Sequence, residues 1–377
     1  MLLVMKHFFL FVLLLAASCT QAQLPEYKII TSGVPRADHG SITRYLVTSA
    51  ALRCGYTVDV WTPDGYAENT SLTYPVIYAQ DGQNLFDPKL SYAGVAWELD
   101  TKAQSLATRG EAATPIIVGI SNRGTQNLRP NDYFPEKSLT YIAEQDVTQT
   151  AVYETCKAGF FGDEYAAFIA KELKPLIDCL YRTNPAPSHT FAMGSSMGGL
   201  ISLYLLCEYP DVFGGAACLS THWIGSLSIN ADYSMNDDPV CARAILAYAD
   251  ANIPPSETHK LYLDQGTTGW DAGYLAYEQA ARQIVKAHGY SEAEGTLMTY
   301  DAVGAGHNEW YWQQRAEKPL GFLLDKDALS ARAEPVLCPS EAGNVFVSLL
   351  GVRYCTDDAA RLIPGIYTHN HRKVVVR

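Results

Sequence analysis

A serine between glycines is the first feature of this sequence that could do chemistry. The segment Gly194-Ser195-Ser196-Met197-Gly198 fits the pattern Gly-x-Ser-x-Gly. This pattern presents a serine hydroxyl at the tip of a sharp turn from a strand into a helix. An apolar strand pattern at 190–193 precedes it, and a helical pattern at 199–209 follows. We therefore predict that Ser196 is a nucleophile rather than a capping serine in a glycine-rich turn.

A serine hydroxyl needs a neighbouring base, for which histidine is the usual choice. After an elbow of this kind the acid comes first and the histidine second, beyond the last strand. His307 lies in a glycine-rich segment after the predicted strand 296–300. His222 and His259 come too early for this order, and His288 stands at a predicted helix end, where it would act as a cap. We predict His307 as the general base.

The acid that orients this histidine should follow the strand between serine and histidine. Asp264 and Asp271 both qualify. Asp264 continues the alternation of the predicted strand 260–264, so the pleat sets its direction. Asp271 follows Gly266 and Gly269, which give a loop the freedom to turn a side chain toward the histidine. We predict Asp271 as the acid, with Asp264 and a serine–histidine dyad as the alternatives.

Two backbone N–H groups are predicted to bind the oxyanion that forms when the serine attacks. The N–H of Met197 lies at the start of the helix after the serine, where N–H groups have no partner in a preceding turn. The second donor should come from the loop after an earlier strand. Gln83 occupies that loop, directly after Asp81-Gly82. The pair Asp81-Gly82 alone is equally typical of an ordinary turn.

The predicted elements alternate between strands and helices, which is typical of a parallel sheet with helices on both faces. Strands are predicted at 74–79, 115–120, 190–193, 215–220, 260–264 and 296–300, and helices at 164–181, 199–209 and 275–288. Ahead of them, 42–61 is rich in Val, Thr and Tyr and has turn residues at Cys54-Gly55, which predicts an antiparallel hairpin at the sheet edge. Segments 232–239 and 253–258 are predicted to be loops. The fold class is therefore α/β.

Six motifs in order resemble the esterase D-like family of α/β-hydrolases, which includes feruloyl and acetyl-xylan esterases and enterochelin esterase. They lie at 58–66, 81–86, 129–135, 172–178, the serine elbow, and His307 with Trp310. The resemblance implies an α/β-hydrolase fold with Ser196 as nucleophile and His307 as base. It also implies Gln83 and Met197 as oxyanion donors. Family members often carry the acid two places after a Gly-Thr pair, where this chain has Gly269.

The resemblance also implies a reaction and a substrate. It implies ester hydrolysis through an acyl-enzyme, without a cofactor, on an acylated carbohydrate such as a feruloyl or acetyl ester. Arg129 and His222 are predicted to contact this small-molecule or oligosaccharide substrate. A loop-holding ion pair is the alternative for Arg129, and ordinary packing is the alternative for His222. An acyltransferase of the same fold and a non-catalytic carbohydrate-binding relative are the alternative functions.

Composition bears on partners and metals. The chain has 28 Lys and Arg against 40 Asp and Glu, a net charge of −12, and its sequence contains no basic cluster. This balance argues against nucleic-acid binding, which needs a basic face. The nine cysteines have no close spacing typical of a zinc site, so no metal is predicted. Cys179, Cys207 and Cys218 lie in apolar patterns that favour free buried thiols.

The two ends of the chain have a different character. Residues 1–22 have the short apolar core and small cleavage-site residues of a signal peptide, which predicts a secreted or periplasmic protein. Cys19 follows Ala-Ala-Ser, which resembles a lipoprotein box, so a surface lipoprotein anchored there is the alternative. No later segment is long and apolar enough for a transmembrane span. We predict an esterase domain at 23–330 and a C-terminal extension at 331–377 that resembles a short β sorting segment.

Overall fold

A nine-stranded sheet organises the chain. The computed structural model describes residues 24–126, 128–149, 159–225 and 236–325, and four further strands between 345 and 376. The strands of the large sheet are β1 (Glu26–Ile30), β2 (Ser41–Ser49), β3 (Cys54–Thr62), β4 (Val76–Gln80), β5 (Ile116–Ile120), β6 (Thr190–Ser195), β7 (Gly215–Leu219), β8 (Lys260–Gly266) and β9 (Leu297–Ala302). Their order across the sheet is β1-β2-β3-β5-β4-β6-β7-β8-β9.

Strand direction divides the sheet into two parts. The first three strands and β5 pair antiparallel, whereas β5, β4, β6, β7, β8 and β9 pair parallel. Strands β4, β5, β6 and β7 are buried along their whole length because helices cover both of their faces. The predicted hairpin is confirmed as β2 and β3, with its turn at 50–53 just before Cys54-Gly55.

Helices connect the strands. They are α1 (Leu99–Thr108), α2 (Arg129–Tyr133), α3 (Gly162–Ala167), α4 (Lys174–Leu180), α5 (Met197–Glu208), α6 (Pro239–Asn252), α7 (Trp270–Ala287), α8 (Glu309–Arg315) and α9 (Glu317–Leu323). A π-helical segment, Phe168–Leu173, joins α3 to α4. The prediction of a loop ending at Pro239 was wrong at its last residue. Proline fits the first position of a helix, and Asp238 caps α6 by accepting the N–H of Cys241 at 2.9 Å.

The two faces of the sheet carry separate apolar clusters. Along β4, Val76 and Tyr78 pack into the larger cluster, and Ile77 and Ala79 pack into the smaller one. This alternation follows from the two-residue repeat of a strand. Helices α4, α5 and α6 cover the larger cluster, and α1 and α9 cover the smaller one. The structure is thus the predicted α/β-hydrolase fold, with helices on both faces of a mostly parallel sheet.

The carboxyl ends of the parallel strands determine where a site can form. Strands β4, β6, β7, β8 and β9 run in one direction, so the loops that follow them meet along one edge of the sheet. The segments that follow these strands contain Gln83, Ser196, His222, Asp271 and His307, in chain order. The fold therefore brings the predicted site residues to a common edge.

A second, antiparallel sheet follows the hydrolase fold. Its strands are β10 (Val345–Ser348), β11 (Arg353–Cys355), β12 (Gly365–His369) and β13 (Arg372–Val376), in the order β11-β10-β12-β13. Strand β11 packs against α4. The predicted signal peptide, Cys19 and residues 331–344 of the predicted extension lie outside the described residues.

The cysteines differ from the prediction at one position. Cys207 and Cys218 are free and buried, as predicted, and Cys54 is also free. Cys179, which lies in α4, is disulfide-bonded. An apolar pattern reports burial, and a buried cysteine can also be covalently paired.

Candidate active site

The predicted nucleophile occupies a strained turn between β6 and α5. Ser196 has φ 57° and ψ −125°, a conformation that costs a residue other than glycine on the order of 1–3 kcal/mol. Backbone hydrogen bonds hold it there. The N–H of Ser196 donates to the carbonyl of Leu219 in β7 at 2.8 Å, and the N–H of His222 donates to the carbonyl of Ser196 at 3.2 Å.

Gly194 shows why the serine must have a glycine two places before it. A Cβ at Gly194 would lie 2.5 Å from the carbonyl carbon of Gly198, which is closer than real Cβ atoms come to backbone. Glycine therefore lets the end of β6 and the first turn of α5 touch. The elbow inferred from the sequence is present in the structure.

The structure brings Ser196, His307 and Asp271 together in one hydrogen-bonded chain. Nε2 of His307 lies 2.8 Å from Oγ of Ser196. Nδ1 of the same ring lies 2.5 Å from Oδ1 of Asp271. The three residues come from the segments that follow β6, β8 and β9, and only the sheet edge makes them neighbours. A serine, a base in reach of its hydroxyl and an acid on the far side of the base are the parts of a catalytic triad.

Asp271 lies in the first turn of α7, not in the loop where we predicted it. The helix begins at Trp270, five residues before the predicted start. Oδ2 of Asp271 accepts the hydroxyl of Ser220 at 2.6 Å and the N–H of Gly266 at 2.6 Å. Burial acts to raise the pKa of Asp271, but His307 and these two donors outweigh it and lower the pKa below its ordinary value. The carboxylate therefore stays charged beside the imidazole.

Asp264, the alternative acid, has other hydrogen-bond partners. It is fully buried, and Arg315 binds it through Nε at 2.9 Å and Nη2 at 3.0 Å. The hydroxyl of Tyr262 adds a third donor at 2.8 Å. The structure brings Asp271, and not Asp264, to the ring of His307. Asp264 lies within β8, where the pleat turns it toward the buried arginine, whereas Asp271 lies beyond the strand end in the first turn of α7, where it reaches the histidine.

The predicted oxyanion donors stand at the starts of two helical turns. Gln83 lies within the 3₁₀ turn Gly82–Asn84 after β4, and Met197 is the first residue of α5. Backbone N–H groups at such positions have no partner in a preceding turn. The first turns of these two helical segments are adjacent, as the space around Gly198 shows. A Cβ on Gly198 would lie 3.2 Å from Oδ2 of Asp81. The structure thus places the turn of Gln83 beside the helix that follows the serine.

Arg129 is engaged in an ion pair. Its guanidinium donates to both carboxylate oxygens of Asp81 at 2.7 Å, and a quarter of its side chain is exposed. It also lies over the ring of Tyr133, 5.0 Å from the centroid. The hydroxyl of Tyr133 accepts the N–H of Asp81, whose φ is 56°. This arrangement matches the loop-holding alternative, since it fixes the turn that carries Gln83; substrate binding by Arg129 stays a prediction.

His222 is buried, with 2% of its surface exposed. Its Nδ1 lies 2.8 Å from the hydroxyl of Tyr274, and the ring of Tyr274 meets that of His307 edge-on at 5.5 Å. His222 therefore lies one layer behind the predicted base. This position matches the packing alternative, and contact with substrate stays a prediction.

Three residues around Asp271 were missed by the sequence reasoning. They are Ser220, Trp312 and Arg315, all buried. Ser220 directly follows β7, so a polar residue at the carboxyl end of a buried strand was an available signal. Trp312 and Arg315 lie on α8, and no local pattern marks them as partners of a serine more than ninety residues earlier.

The described part of the chain contains neither a metal-binding cluster nor a membrane-spanning helix. There, no three His, Cys, Asp or Glu side chains are grouped as a metal ion would require. No helix of that same part combines the length and apolar character that crossing a bilayer requires.

Comparisons with known proteins agree on the fold. Residues 49–320 match the esterase family described as "Putative esterase". The "Uncharacterized protein YbbA" of Bacillus subtilis (strain 168) is 23% identical over 269 residues, which are 71% of this chain and 92% of that protein. A solved ferulic acid esterase has a TM-score of 0.54 at 20% identity, covering 75% of this chain and 98% of its own. An IroE-like serine hydrolase from Shewanella oneidensis has a TM-score of 0.53 at 20% identity, covering 76% and 80%.

The likeness to the two solved structures shows the shared α/β-hydrolase fold. The family match goes further, because it spans well over half of the chain and contains Ser196, Asp271 and His307. The protein therefore belongs to this esterase family and is a carboxylic ester hydrolase.

Proposed function

We propose that this protein is a serine esterase that works through an acyl-enzyme. Ser196 is the nucleophile, His307 is the general base, and Asp271 orients the base. The observation that carries the proposal is the continuous chain of contacts Ser196 Oγ, His307 Nε2, His307 Nδ1, Asp271 Oδ1, with lengths of 2.8 and 2.5 Å. Hydroxyl activation by an adjacent base needs this contact geometry.

The reaction follows from these contacts. His307 takes the proton of Ser196 through Nε2 as Oγ attacks the ester carbonyl. The carbonyl oxygen becomes an oxyanion bound by the N–H groups of Gln83 and Met197. Protonated His307 then donates its proton to the leaving alcohol, and an acyl-serine remains. Water, deprotonated by His307, attacks the acyl-serine and releases the acid and free Ser196.

An acylated carbohydrate is the proposed substrate class. Aromatic side chains suited to flat rings border the site residues. The ring of Trp270 lies 5.5 Å from that of His307, and Trp310, 55% exposed, lies in the first turn of α8. Tyr92, 90% exposed, donates its N–H to the side chain of Asn84, the residue after Gln83. A ferulic acid esterase of the same fold supports a feruloyl or acetyl ester.

The nucleophile is tested by two neighbouring serines. Ser196→Ala should lower ester turnover about 10⁴-fold or more and abolish covalent labelling by an organophosphate. Ser195→Ala is the matched control, since it removes the adjacent hydroxyl and should leave labelling in place. Labelling of Ser196→Ala, or its turnover near that of the unmodified protein, would refute the proposal.

The substrate class is tested with acetyl, feruloyl and longer-chain esters on a sugar and on a simple alcohol. Higher kcat/KM for the sugar esters supports the proposal, and equal values contradict it. Product analysis with an added sugar acceptor separates hydrolysis from acyl transfer.

We also propose that residues 1–22 direct export and are removed before Gln23. The disulfide of Cys179 supports export, because disulfides persist mainly in oxidising compartments. The N-terminus of the mature protein, determined by mass spectrometry, tests this. Gln23 as the first residue supports soluble export, a lipid-modified Cys19 shows the anchored alternative, and an intact Met1 contradicts export.

A further inference from the structure

Behind Asp271 lies a buried polar group that the mechanism above does not use. We call it the bracing network. Its members come from the loop after β7, from β8 and from α8. They are Ser220, Asp264, Trp312 and Arg315, each at most 6% exposed. Through Ser220 the network meets the carboxylate oxygen of Asp271 that does not face His307.

The hydroxyl of Ser220 has only one direction left for its proton. Its oxygen accepts Nε1 of Trp312 at 3.0 Å and Nη2 of Arg315 at 2.7 Å. Both of these groups are donors only, so they occupy the two lone pairs of the hydroxyl. The proton of Ser220 must then point to its remaining neighbour, Oδ2 of Asp271, at 2.6 Å. The hydrogen bond to the acid therefore has a fixed donor and a fixed direction.

Arg315 can set this direction because its own position is locked. Its guanidinium donates to both carboxylate oxygens of Asp264, and its Nη2 donates to Asp264 and to Ser220. A planar guanidinium held in a two-point pair cannot rotate without breaking both contacts. The N–H of Ser220 also donates to Oδ1 of Asp264 at 3.1 Å. The serine is thus held at its backbone and at its hydroxyl.

The backbone of Ser220 is strained, which is unusual for a residue without a function. Its φ is 42°, in the left-handed region that favours glycine. Strain of this kind persists where surrounding contacts fix the residue, and it clusters at functional sites. Glycine would relieve the strain but would have no hydroxyl for Asp271.

The charges of the network suit a base that becomes protonated. The opposite charges of Asp264 and Arg315 neutralise each other. The negative charge of Asp271 therefore remains available to stabilise the imidazolium of His307. Burial acts to lower the pKa of Arg315, but Asp264 outweighs it and Asp271 adds to the rise, so the arginine stays charged. The titratable and charged groups that face Asp271 from the elements around it are His307, Tyr274 and Arg315, and Asp264 pairs with Arg315.

We propose that Ser220 and Arg315 are positioning residues for the acid of the triad. Ser220 holds Oδ2 of Asp271 so that Oδ1 faces Nδ1 of His307, and Arg315 aims the hydroxyl of Ser220. This inference rests on the proposed serine mechanism. It assigns the two residues an effect on turnover that a purely structural contact would not have.

The decisive variant is Ser220→Gly. Glycine adopts φ 42° without strain, which offsets part of the loss of the buried hydrogen bonds of the hydroxyl, so the thermal midpoint should fall by a few degrees at most. The loss of a hydrogen bond to a charged group should lower kcat about 10- to 100-fold, with KM changed about twofold at most. Ser49→Ala is the matched control, because Ser49 is equally buried and its hydroxyl accepts a hydrogen bond far from the site, from the N–H of Leu52.

The pH profile separates positioning from packing. Without the Ser220 donor, the charge of Asp271 is less dispersed and attracts the imidazolium proton more strongly. The acid limb of kcat/KM should therefore move to higher pH in Ser220→Gly and stay in place in Ser49→Ala. Full kcat with an unmoved acid limb in Ser220→Gly would overturn the proposal.

The role of Arg315 is tested by a double-mutant cycle. Arg315→Lys keeps the charge beside Asp264 but cannot bridge two acceptors in a plane. If Arg315 acts through Ser220, the double variant should lose about as much kcat as the more damaged single variant. Losses that multiply would overturn this part. Ser196→Ala is measured in the same assay: if it is active, the serine mechanism fails, whereas an inactive Ser196→Ala beside a fully active Ser220→Gly refutes the bracing network alone.

Discussion

The nucleophile side and the acid side of the site are built in different ways. Around Ser196 the geometry is local, since a strand, a strained turn and a helix follow each other within 190–208, and the backbone makes the key contacts. Around Asp271 the geometry is long-range, because side chains from the loop after β7, from β8, from α7 and from α8 meet through hydrogen bonds. Ser196 is placed by backbone shape, whereas Asp271 is placed by side-chain partners. Substitutions should therefore damage the two sides differently.

The largest effect is expected at the acid itself. Asp271→Asn should lower kcat by about 10⁴-fold with the fold retained, because an amide no longer fixes the tautomer of His307 or stabilises its imidazolium. Steady-state kinetics and circular dichroism measure the two parts of this expectation. A loss below about tenfold would mean that Ser196 and His307 work as a dyad.

Asp264→Asn should affect stability more than chemistry. It leaves the charged guanidinium of Arg315 buried without a carboxylate partner, and breaking a buried pair costs about 3–5 kcal/mol. Its kcat should fall less than that of Asp271→Asn. Urea unfolding beside kinetics checks both. A kcat loss larger than that of Asp271→Asn would move the role of the acid to Asp264.

Gly194→Ala tests the backbone geometry around Ser196. The added Cβ would meet the backbone of Gly198 at 2.5 Å, so the start of α5 must shift away from β6. We expect a stability loss of about 1–3 kcal/mol together with a fall in kcat, because the N–H of Met197 moves with the helix. Gly273→Ala is the control, since a Cβ there has open space. Equal behaviour of the two variants would contradict the local account.

The smallest expected effect is a pH dependence of protein stability, caused by a residue that the proposed reaction does not use. Burial raises the pKa of Glu278 to about 7, although Arg282 and Trp223 act against it. A raised carboxyl pKa means that this group's contribution to stability is full below about 4.5 and is lost as pH rises toward 7. Glu278→Gln should therefore match the unmodified protein at pH 4.5 and exceed its stability at pH 8, on the order of 1 kcal/mol. Equal differences at both pH values would contradict this.

This contrast also explains how far the sequence could be interpreted. The elbow and the position of His307 beside Ser196 were predictable, because glycine spacing and the position after the last strand are local signals that the fold reproduces. Asp271 was chosen correctly as the neighbour of His307, although its helix was predicted to start five residues too late. The first turn, Trp270-Asp271-Ala272-Gly273, has no apolar periodicity to reveal it.

The bracing network could not be predicted from the sequence. Arg315 and Ser220 are 95 positions apart, and neither belongs to a sequence motif that predicts their contact. The roles predicted for Arg129 and His222 rested on resemblance, and the ion pair of Arg129 with Asp81 depends on a contact across 48 positions. Cys179 is similar, since hydropathy reports that a cysteine is buried but not whether it has a covalent partner.

The long separation between Ser196 and His307, 111 positions, has a consequence for the nascent chain. Synthesis runs from the N-terminus, so the serine elbow can form on the ribosome while the base has not yet been made. Until β9 joins the sheet edge beside β8, the serine is an ordinary alcohol with no partner to accept its proton. Under the proposed serine mechanism, hydrolytic competence therefore arrives in one late step of assembly, and a chain interrupted anywhere before residue 307 lacks the group that would activate Ser196.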